Sequence, residues 1–284
     1  MSSCSAVDSS TLSATGDSYG GVVVHSSGLP KEPQIFKTSL QSSLKVWRRN
    51  GTKGVWLKLP IEYAALVPEA VEQGFIYHHA EADYVMLCHW LQDSPSTLPP
   101  NASHQVGVGA FVLNDRGEVL AVQEGNGPLK GKGAWKMPTG IVSTGEDLHE
   151  GACREVLEET GIDAEFQAVL AVRQAHGFGF GKSDLFFVCA MRPKPGPQEL
   201  KPCETEIETA AWIPLEEFLQ IGFMRSQTLY AKILDACEAW AEGRYHGLKA
   251  KVLEAGVWKP REDLLLVGKI HRKSSRHLEG QQQK

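Results

Sequence analysis

Residues 145–160 combine a helical apolar pattern with a concentration of carboxylates. At about 100° per residue, one half of the helical wheel is small or apolar: Ala152, Cys153, Val156, Leu157 and Thr160. The other half is largely charged: Asp147, Gly151, Arg154, Glu155, Glu158 and Glu159, with Leu148 as the apolar residue among them. The segment predicts a helix that buries one side in a core and gathers carboxylates on the other.

The ends of this helix also carry sequence signals. Thr144 is a suitable N-cap residue, and Asp147 follows three residues later, where a capping box usually has Glu or Gln. Gly161 suits the left-handed position that follows a helix. We therefore predict a helix over 145–160.

The acidic side of this helix is electrostatically unfavourable, and this calls for an explanation. Glu155 is three residues from Glu158 and four from Glu159, and each such like-charge pair costs roughly 0.2–0.5 kcal/mol. Glu158 and Glu159 also lie in the last turn, where the helix dipole disfavours negative charge. Mg²⁺ or Mn²⁺, which prefer oxygen ligands, would relieve this conflict. The residues alone leave open a metal site and a solvated acidic face.

Composition narrows the class of protein. The formal net charge of −5 gives no overall basic field, so nucleic acid is an unlikely partner. A run of about 18 apolar residues is absent, which argues against a membrane span. The six cysteines include no CxxC pair, so we expect a reduced, cytoplasmic protein. Organelle targeting by the Ser-rich N-terminus is the less favoured alternative, because the first 21 residues contain no Arg and include Asp8 and Asp17.

Four regions follow from the pattern along the chain. We expect a disordered tail over 1–33, a small α/β domain over 34–98, a second domain over 103–243, and an extension with a basic tail over 244–284. The Pro/Ser-rich segment 93–103 is the linker between the domains. The basic tail is expected to be solvated, with weak nucleic-acid contact as the alternative.

Within the first domain, 45–59 predicts two strands around a glycine-containing turn. A helix follows from Pro60 to Gly74, with a kink or break at Pro68, and two strands lie at 75–79 and 83–91. In the second domain, 106–124 predicts a hairpin around the turn 114–117. Further strands are predicted at 164–176, 183–191 and 208–214, and a helix at 226–242 that ends at Gly243.

The longer segment 140–162 carries a specific motif. It places Gly140, Glu146, Arg154-Glu155-Val156, Glu158-Glu159 and Gly161-Ile162 at fixed spacings. This pattern matches the Nudix box at every fixed position, and the preceding WKMPTG resembles the usual approach to the box. Thr139 stands where many members carry glycine. The chain therefore resembles the Nudix hydrolase family.

The resemblance extends into the first domain. The phrases WRRNGTKGVWLKLP and YHHAEADYVMLCHWL resemble the N-terminal domain of a subgroup found in plants and animals, which in plants includes ADP-ribose/NADH pyrophosphatases. In that subgroup the domain resembles part of an acetyltransferase fold, without implying acetyl transfer. The resemblance implies an α/β fold: a Nudix α/β/α sandwich with a mixed sheet, preceded by this small α/β domain.

Site roles follow from the resemblance, residue by residue. It implies Glu155 and Glu159 as ligands of Mg²⁺ or Mn²⁺, with Glu158 as a further ligand or water-positioning group. Arg154 would orient the glutamates by ion pairing, and Glu146 would hold the loop against the helix. Gly140 would permit a tight loop, whose carbonyl oxygens at Thr139 and Gly140 would complete the metal shell.

A catalytic base could come from the box or from a downstream loop. Glu204, Glu206 and Glu208 precede the strand at 208–214, and we select Glu206 as the carboxylate near the metal. Its alternative is an exposed loop acid. Phe178 and Phe180 lie in a Gly-rich loop and are candidates for stacking on adenine, with packing against the core as the alternative.

Three functions are consistent with these residues. The first is Mg²⁺-dependent hydrolysis of ADP-ribose or NADH, small nucleotide substrates, with release of AMP. The second is a Nudix hydrolase for a dinucleoside polyphosphate, ADP-sugar, coenzyme A derivative or capped RNA. The third is a nucleotide-sensing binding protein, which the complete carboxylate set disfavours. Because members of the family are often dimers, a homodimer is also expected.

Overall fold

The computed structural model describes residues 11–177, 179–255 and 261–268, without the side chains of 223, 224, 253–255 and 261–263. The chain divides into two compact units, Met1–Ser103 and His104–Lys284. This division falls at the end of the Pro/Ser-rich linker. Among the described residues, no helix has the length and apolar character that a membrane crossing requires.

The first unit is a small α/β unit. Its strands are β1 (Ala14–Gly16), β2 (Val22–Val24), β3 (Gly54–Pro60), β4 (Ile76–Glu81) and β5 (Tyr84–Trp90). They form one sheet in the order β1-β2-β3-β5-β4, in which β2 and β3 are parallel and the other neighbours antiparallel. Its helices are α1 (Pro33–Arg49), a 3₁₀ helix (Ile61–Leu66) and α2 (Val67–Glu72). The break predicted at Pro68 is confirmed, because Pro68 lies at the start of α2.

Helix α1 corrects the prediction of two strands over 45–59. Phe36, Leu40, Leu44 and Trp47 recur at helical spacing and are buried in the core of this unit. The helix therefore runs through the sequence KVWRR, and β3 is the strand in this stretch. Glu32 caps the helix by accepting a hydrogen bond from the Ile35 amide at 2.8 Å.

The prediction of a disordered tail over 1–33 is wrong for residues 14–24, which contain two short strands. Residues 14–16 and 22–24 are strands, and Val22 pairs in parallel with Val55 of β3. The signal was weak because three-residue strands between glycines resemble a polar coil. Asp17 closes the turn between them by accepting hydrogen bonds from the amides of Tyr19 and Gly21, at 2.8 and 2.7 Å. Residues 1–10 lie outside the described residues.

The second unit contains the motif. Its strands are β6 (His104–Val112), β7 (Glu118–Glu124), β8 (Thr139–Ile141), β9 (Ala164–Ala175), β10 (Ser183–Pro193), β11 (Ile207–Pro214), β12 (Lys249–Ala255) and β13 (Arg261–Val267). Its helices are α3 (Leu148–Thr160), α4 (Leu215–Leu219), α5 (Gly222–Arg225) and α6 (Thr228–Ala241). A short 3₁₀ segment spans Gly179–Gly181. The strands predicted at 164–176, 183–191 and 208–214 and the helix at 226–242 are confirmed.

The central sheet of this unit is mixed and has helices on both faces. Its order is β8-β6-β10-β9, with β6 and β10 parallel and the other neighbours antiparallel. Helix α3 packs Ala152 and Val156 against one face, and α6 packs Leu234 and Cys237 against the other. This is the expected α/β/α arrangement. It places β8 at the edge of the sheet, beside β6 and in contact with α3.

The predicted hairpin over 106–124 is corrected. The turn exists, because Asn114 accepts hydrogen bonds from the amides of Arg116 and Glu118, both at 2.9 Å. However, β6 pairs with β8 and β10, whereas β7 pairs with β11. Only the bridge between Leu113 and Val119 links the two strands beside the turn. Two apolar runs around a turn predict a hairpin, but they do not reveal that each strand pairs with strands that are distant in the sequence. The basic end of the predicted 244–284 extension, residues 269–284, lies outside the described residues.

Candidate active site

Helix α3 starts later than predicted. Asp147, and not Thr144, is the N-cap, and Glu150 completes the capping box by accepting a hydrogen bond from the Asp147 amide at 3.0 Å. The correction follows from chemistry, since Asp is the better cap and Glu its usual partner. Gly161 ends the helix with φ 74°, as predicted.

The carboxylate side of α3 is only partly exposed. Glu158 is exposed, but Glu159, predicted on the open side, is only 5% exposed. Leu157, predicted on the buried side, is 50% exposed. The reason is that α3 contacts the edge strand β8 as well as β6 and β9 of the central sheet, so Glu155 and Glu159 turn toward β8. The helical wheel predicted only the surface of α3 that packs on the core, whereas the helix also packs against β8.

Arg154 gathers the acids of the motif. Its guanidinium donates two hydrogen bonds to Glu146, at 2.7 and 3.0 Å, in a bidentate pair. Its Nη1 donates to Glu155 Oε1 at 2.8 Å and to Glu158 Oε2 at 2.9 Å. Its Nη2 also donates to the carbonyl oxygen of Ile141 at 3.0 Å. These contacts fix the loop after β8 against α3.

The carboxyl groups of this cluster differ in the direction of their pKa shifts. The Arg154 guanidinium lowers the pKa of Glu146, helped by the amide of Ser143, which donates to Glu146 at 2.8 Å. The same contacts raise the pKa of Arg154. Glu146 is therefore held as a carboxylate anion in a structural ion pair.

Glu155 and Glu159 have raised pKa values instead. Burial raises the pKa of Glu159 to about 7, with Glu155 and Glu206 adding repulsion and Lys136 opposing it. Burial also raises the pKa of Glu155, which Arg154 partly offsets. A buried and a half-buried carboxylate with raised pKa values, four residues apart on one helix, are typical of functional sites.

Gly140 occupies a position where a side chain would displace the Glu155 carboxyl group. A β-carbon there would lie 1.8 Å from Glu155 Cδ and 2.0 Å from its Oε1. Thr139, the preceding residue, donates its amide to Glu159 Oε2 at 3.3 Å. The backbone of β8 therefore runs directly against both carboxylates.

Lys136 is a site residue that the sequence reasoning missed. Its Nζ donates to Thr139 Oγ1 at 2.6 Å and pairs with Glu124 Oε1 at 3.0 Å. Its charge is the largest factor that opposes the raised pKa of Glu159. The signal was present in WKMPTG, where a lysine precedes the motif within an otherwise apolar run.

Of the downstream acids, Glu206 is the one whose charge acts on both Glu155 and Glu159. It is exposed, in the turn before β11, and its carbonyl oxygen accepts from the Gly125 amide at 2.8 Å. Glu204 and Glu208 are exposed as well. Phe180 is fully exposed with φ 56°, away from any packed position, and Phe178 lies outside the described residues.

An apolar cavity of about 470 Å³ adjoins the carboxylates. Its lining includes Trp135, Lys136, Thr139, Arg173, Phe186 and Tyr230. Lys136 and Thr139 both line this cavity. The Thr139 amide donates to Glu159 and the charge of Lys136 acts on the same carboxylate, so the cavity lies close to Glu159. Its volume is within the range of small-molecule sites, roughly 300–1,000 Å³.

The comparisons with known proteins identify this arrangement. The family described as Nudix hydrolase domain matches residues 12–91, and the NUDIX domain family matches residues 103–233. Nudix hydrolase 2 of Arabidopsis thaliana is 49% identical over 236 residues, covering 83% of this chain and 84% of the relative. The chain belongs to the Nudix hydrolase family.

Other Nudix proteins are also similar. Nucleoside diphosphate-linked moiety X motif 6 of Homo sapiens is 38% identical over 208 residues, which cover 71% of this chain and 64% of that protein. The solved MutT NUDIX hydrolase from Burkholderia pseudomallei is 28% identical and covers 40% of this chain and 84% of its own, with a TM-score of 0.34. This Nudix hydrolase is thus an enzyme that acts on phosphorus anhydrides of small nucleotides, and the predicted family is confirmed.

Proposed function

We propose that this Nudix hydrolase cleaves the pyrophosphate bond of ADP-ribose or NADH, with Mg²⁺ or Mn²⁺, and releases AMP. The observation that carries the proposal is the carboxylate pair of half-buried Glu155 and buried Glu159, held against the backbone of Thr139 and Gly140 beside an apolar cavity. The N-terminal phrases that resemble the ADP-ribose/NADH subgroup support this choice of substrate.

The donor chemistry fits a hard divalent cation. No three His, Cys, Asp or Glu side chains of the described residues are gathered closely enough to hold a metal. Even so, Glu155 and Glu159 are oxygen donors whose burial raises their pKa values, with repulsion from neighbouring carboxylates adding to this effect, and a cation would relieve both effects. Glu155 and Glu159 would hold it, with Glu158 and the carbonyl oxygens of Thr139 and Gly140 as further donors. A bound Mg²⁺ supplies neutralisation of phosphate charge and activation of water.

The chain's own residues would contribute the remaining functions. Arg154 positions Glu155 and Glu158 through one nitrogen, so the carboxylates that would hold the cation are already fixed in place before substrate arrives. Lys136, beside Glu159, places a positive charge where a phosphate would enter. Glu206 would accept the proton of the attacking water, since it is exposed and its charge reaches both buried carboxylates.

A substrate panel tests the proposal. The purified chain is incubated with Mg²⁺ and, in turn, ADP-ribose, NADH, a dinucleoside polyphosphate, an ADP-sugar, coenzyme A and capped RNA, and AMP release is followed by chromatography. We expect the highest kcat/KM for ADP-ribose or NADH. Cleavage of another member with both of these untouched would replace the proposed substrate and leave the enzyme class intact.

The state of the protein in the cell stays a prediction. A homodimer is expected from the resemblance, and light scattering after size-exclusion chromatography measures it directly. The cytoplasmic location is expected from the cysteine pattern, and a fluorescent fusion of the full chain tests it.

A further inference from the structure

The sheet of the first unit has two different faces. On one face, Val55, Leu57 and Leu87 belong to a single core with the helices of the unit. Trp56 and Trp90 alternate with these residues along β3 and β5, so they lie on the other face, where both are only partly buried. Within the described residues of this unit, the segment that contacts this second face is the Pro/Ser-rich linker and not a helix.

Two aromatic side chains of the sheet bind the backbone of the linker. Trp90 Nε1 donates to the carbonyl oxygen of Ser94 at 2.7 Å. His78 Nε2 lies 3.0 Å from the carbonyl oxygen of Pro99, and it is the donor because a carbonyl oxygen only accepts. Both bonds are made to the main chain, so they do not depend on the linker's side chains. These donors therefore suit any extended segment that presents carbonyl groups at this spacing.

Leu98 supplies the side-chain contact between the linker and the sheet. A β-carbon on Gly54 would lie 2.6 Å from Leu98 Cδ2, so the missing side chain in β3 leaves the space that this leucine fills. Pro99 and Pro100 follow directly. Proline fixes its own φ and favours extended backbone in the residue before it. The Leu-Pro-Pro sequence is therefore stiff, and little conformational entropy is lost when it binds.

Open space remains on both sides of the bound linker. Two cavities, of about 750 and 550 Å³, are both lined by Trp90, Leu98 and Pro99. The larger one also has Asp17 and Lys53 in its lining, whose charges are opposite. Among the described residues that line the smaller one there is no lysine, arginine or carboxylate. A phosphate group would find no excess of positive charge here, whereas an uncharged extended segment would bury apolar surface against the aromatic rings.

We propose that this face binds an extended, uncharged segment of a partner protein that contains a Leu-Pro sequence. The binding surface, which we call the linker groove, consists of Gly54, Trp56, His78 and Trp90. The chain's own linker is the intramolecular competitor, because it occupies the groove through its carbonyl groups and Leu98. Aromatic-lined grooves bind proline-rich segments in this way, since such segments are already extended before binding. This proposal is independent of the proposed hydrolysis.

The experiment separates the groove from its own linker. The probe is a synthetic peptide with the sequence of residues 93–103, DSPSTLPPNAS. It is titrated into the full chain and into an emptied chain, in which Gly and Ser replace residues 94–101 in equal number. Leu98→Asp is a second emptied chain, made by one substitution. The Kd is obtained from the NMR shifts of the tryptophan indole N–H groups, and Trp90→Phe identifies the signal of Trp90.

We expect both emptied chains to bind the peptide and to shift the Trp90 signal. The wild type should bind about ten- to a hundredfold more weakly, because a tethered linker competes at an effective concentration in the millimolar range. A control peptide with serine in place of its leucine and of the two prolines that follow should bind none of these proteins.

Substitutions in the emptied chain locate the binding surface. Trp90→Phe should weaken binding about fivefold, because it removes one hydrogen bond and keeps an aromatic ring. Gly54→Val should abolish binding by filling the space for the leucine. Ile35→Ser is the control, since Ile35 is exposed on α1 and should have no effect. Thermal unfolding followed by circular dichroism confirms that each protein is folded.

Three results would overturn the proposal. The first is that the emptied chains bind the peptide no better than its serine control. The second is a wild type whose Trp90 signal stays unmoved at peptide concentrations about a thousandfold above the Kd of the emptied chain, since the groove would then serve the linker alone. The third is an emptied chain that forms a dimer by light scattering and excludes the peptide, which would assign the face to a second copy.

Discussion

The backbone of Gly140 lies against the carboxyl group of Glu155, so that a β-carbon on residue 140 would lie 1.8 Å from Glu155 Cδ. This contact links β8 to α3 and sets where the Glu155 oxygens point. We expect Gly140→Ala to displace Glu155 and lower kcat/KM by about 100-fold, since a shift of about 1 Å in a reacting group has that effect. Gly222→Ala is the control, because a β-carbon there meets nothing within 4 Å. Steady-state kinetics of both variants measure the effect, and a fully active Gly140→Ala would refute it.

Arg154→Lys tests whether the forked guanidinium organises the acids. Lysine retains the charge but cannot bind Glu146 through two nitrogens while also reaching Glu155 and Glu158. We expect a loss of about 1 kcal/mol in the free energy of unfolding, discounted for partial exposure, together with lower kcat. Arg116→Lys, at an exposed ion pair, should change neither quantity. Urea denaturation and kinetics decide, and equal behaviour of the two variants contradicts the role of Arg154.

The raised pKa of Glu159 predicts an unusual dependence of stability on pH. Between 4.5 and about 7 the folded protein binds more protons at Glu159 than the unfolded chain does. The contribution of Glu159 to the free energy of unfolding therefore falls as pH rises through this window, when no metal is present. Glu159→Gln removes this term. We expect the variant to be more stable than the wild type at pH 8 in EDTA, by on the order of 2 kcal/mol, and similar at pH 4.

The control for this prediction is Glu158→Gln, because the Glu158 side chain is 57% exposed. Thermal unfolding at several pH values gives the comparison. A Glu159→Gln variant that is less stable than the wild type at pH 8 in EDTA would show that the ionised carboxylate stabilises the metal-free fold. Mg²⁺ should reverse the order of the two proteins, since a bound cation stabilises the ionised form.

Glu206→Gln tests the assignment of the base. Loss of a general base lowers kcat by about 100-fold or more, with little effect on the fold when the residue is exposed. Glu204→Gln is the matched control two residues away, also exposed and not among the main charges that act on Glu155 and Glu159. The ratio of kcat values for the two variants is the measurement. Equal kcat values would move the base into the motif itself.

The sequence could predict the parts of the site that depend on local spacing. The position of α3, its end at Gly161 and the grouping of acids around Arg154 all follow from residues within about two turns of one another. Gly140 stood out because the motif gives it a fixed place. By contrast, the burial of Glu159 was missed, because it depends on contact with β8, a strand that lies outside the helical pattern.

The parts that could not be predicted depend on distant contacts. The separation of β6 from β7 is set by β10 and β11, which follow many residues later. The same is true of the cavity floor, where Gly109 makes room for Phe186 and Arg173 pairs with Asp184. Helix α1 was misread because its last turn, rich in Trp and Arg, resembles a strand when the apolar residues before it are not included.

The most direct test of the account compares the wild type with Glu155→Gln. Glutamine keeps the size of the side chain and removes the charge that would hold a divalent cation against the pyrophosphate. AMP release from ADP-ribose is measured with Mg²⁺ present, and circular dichroism confirms that both proteins are folded. We expect AMP release by the wild type and a rate at least about 100-fold lower for the variant. Equal rates for the two proteins would contradict the role of the Glu155–Glu159 pair in hydrolysis.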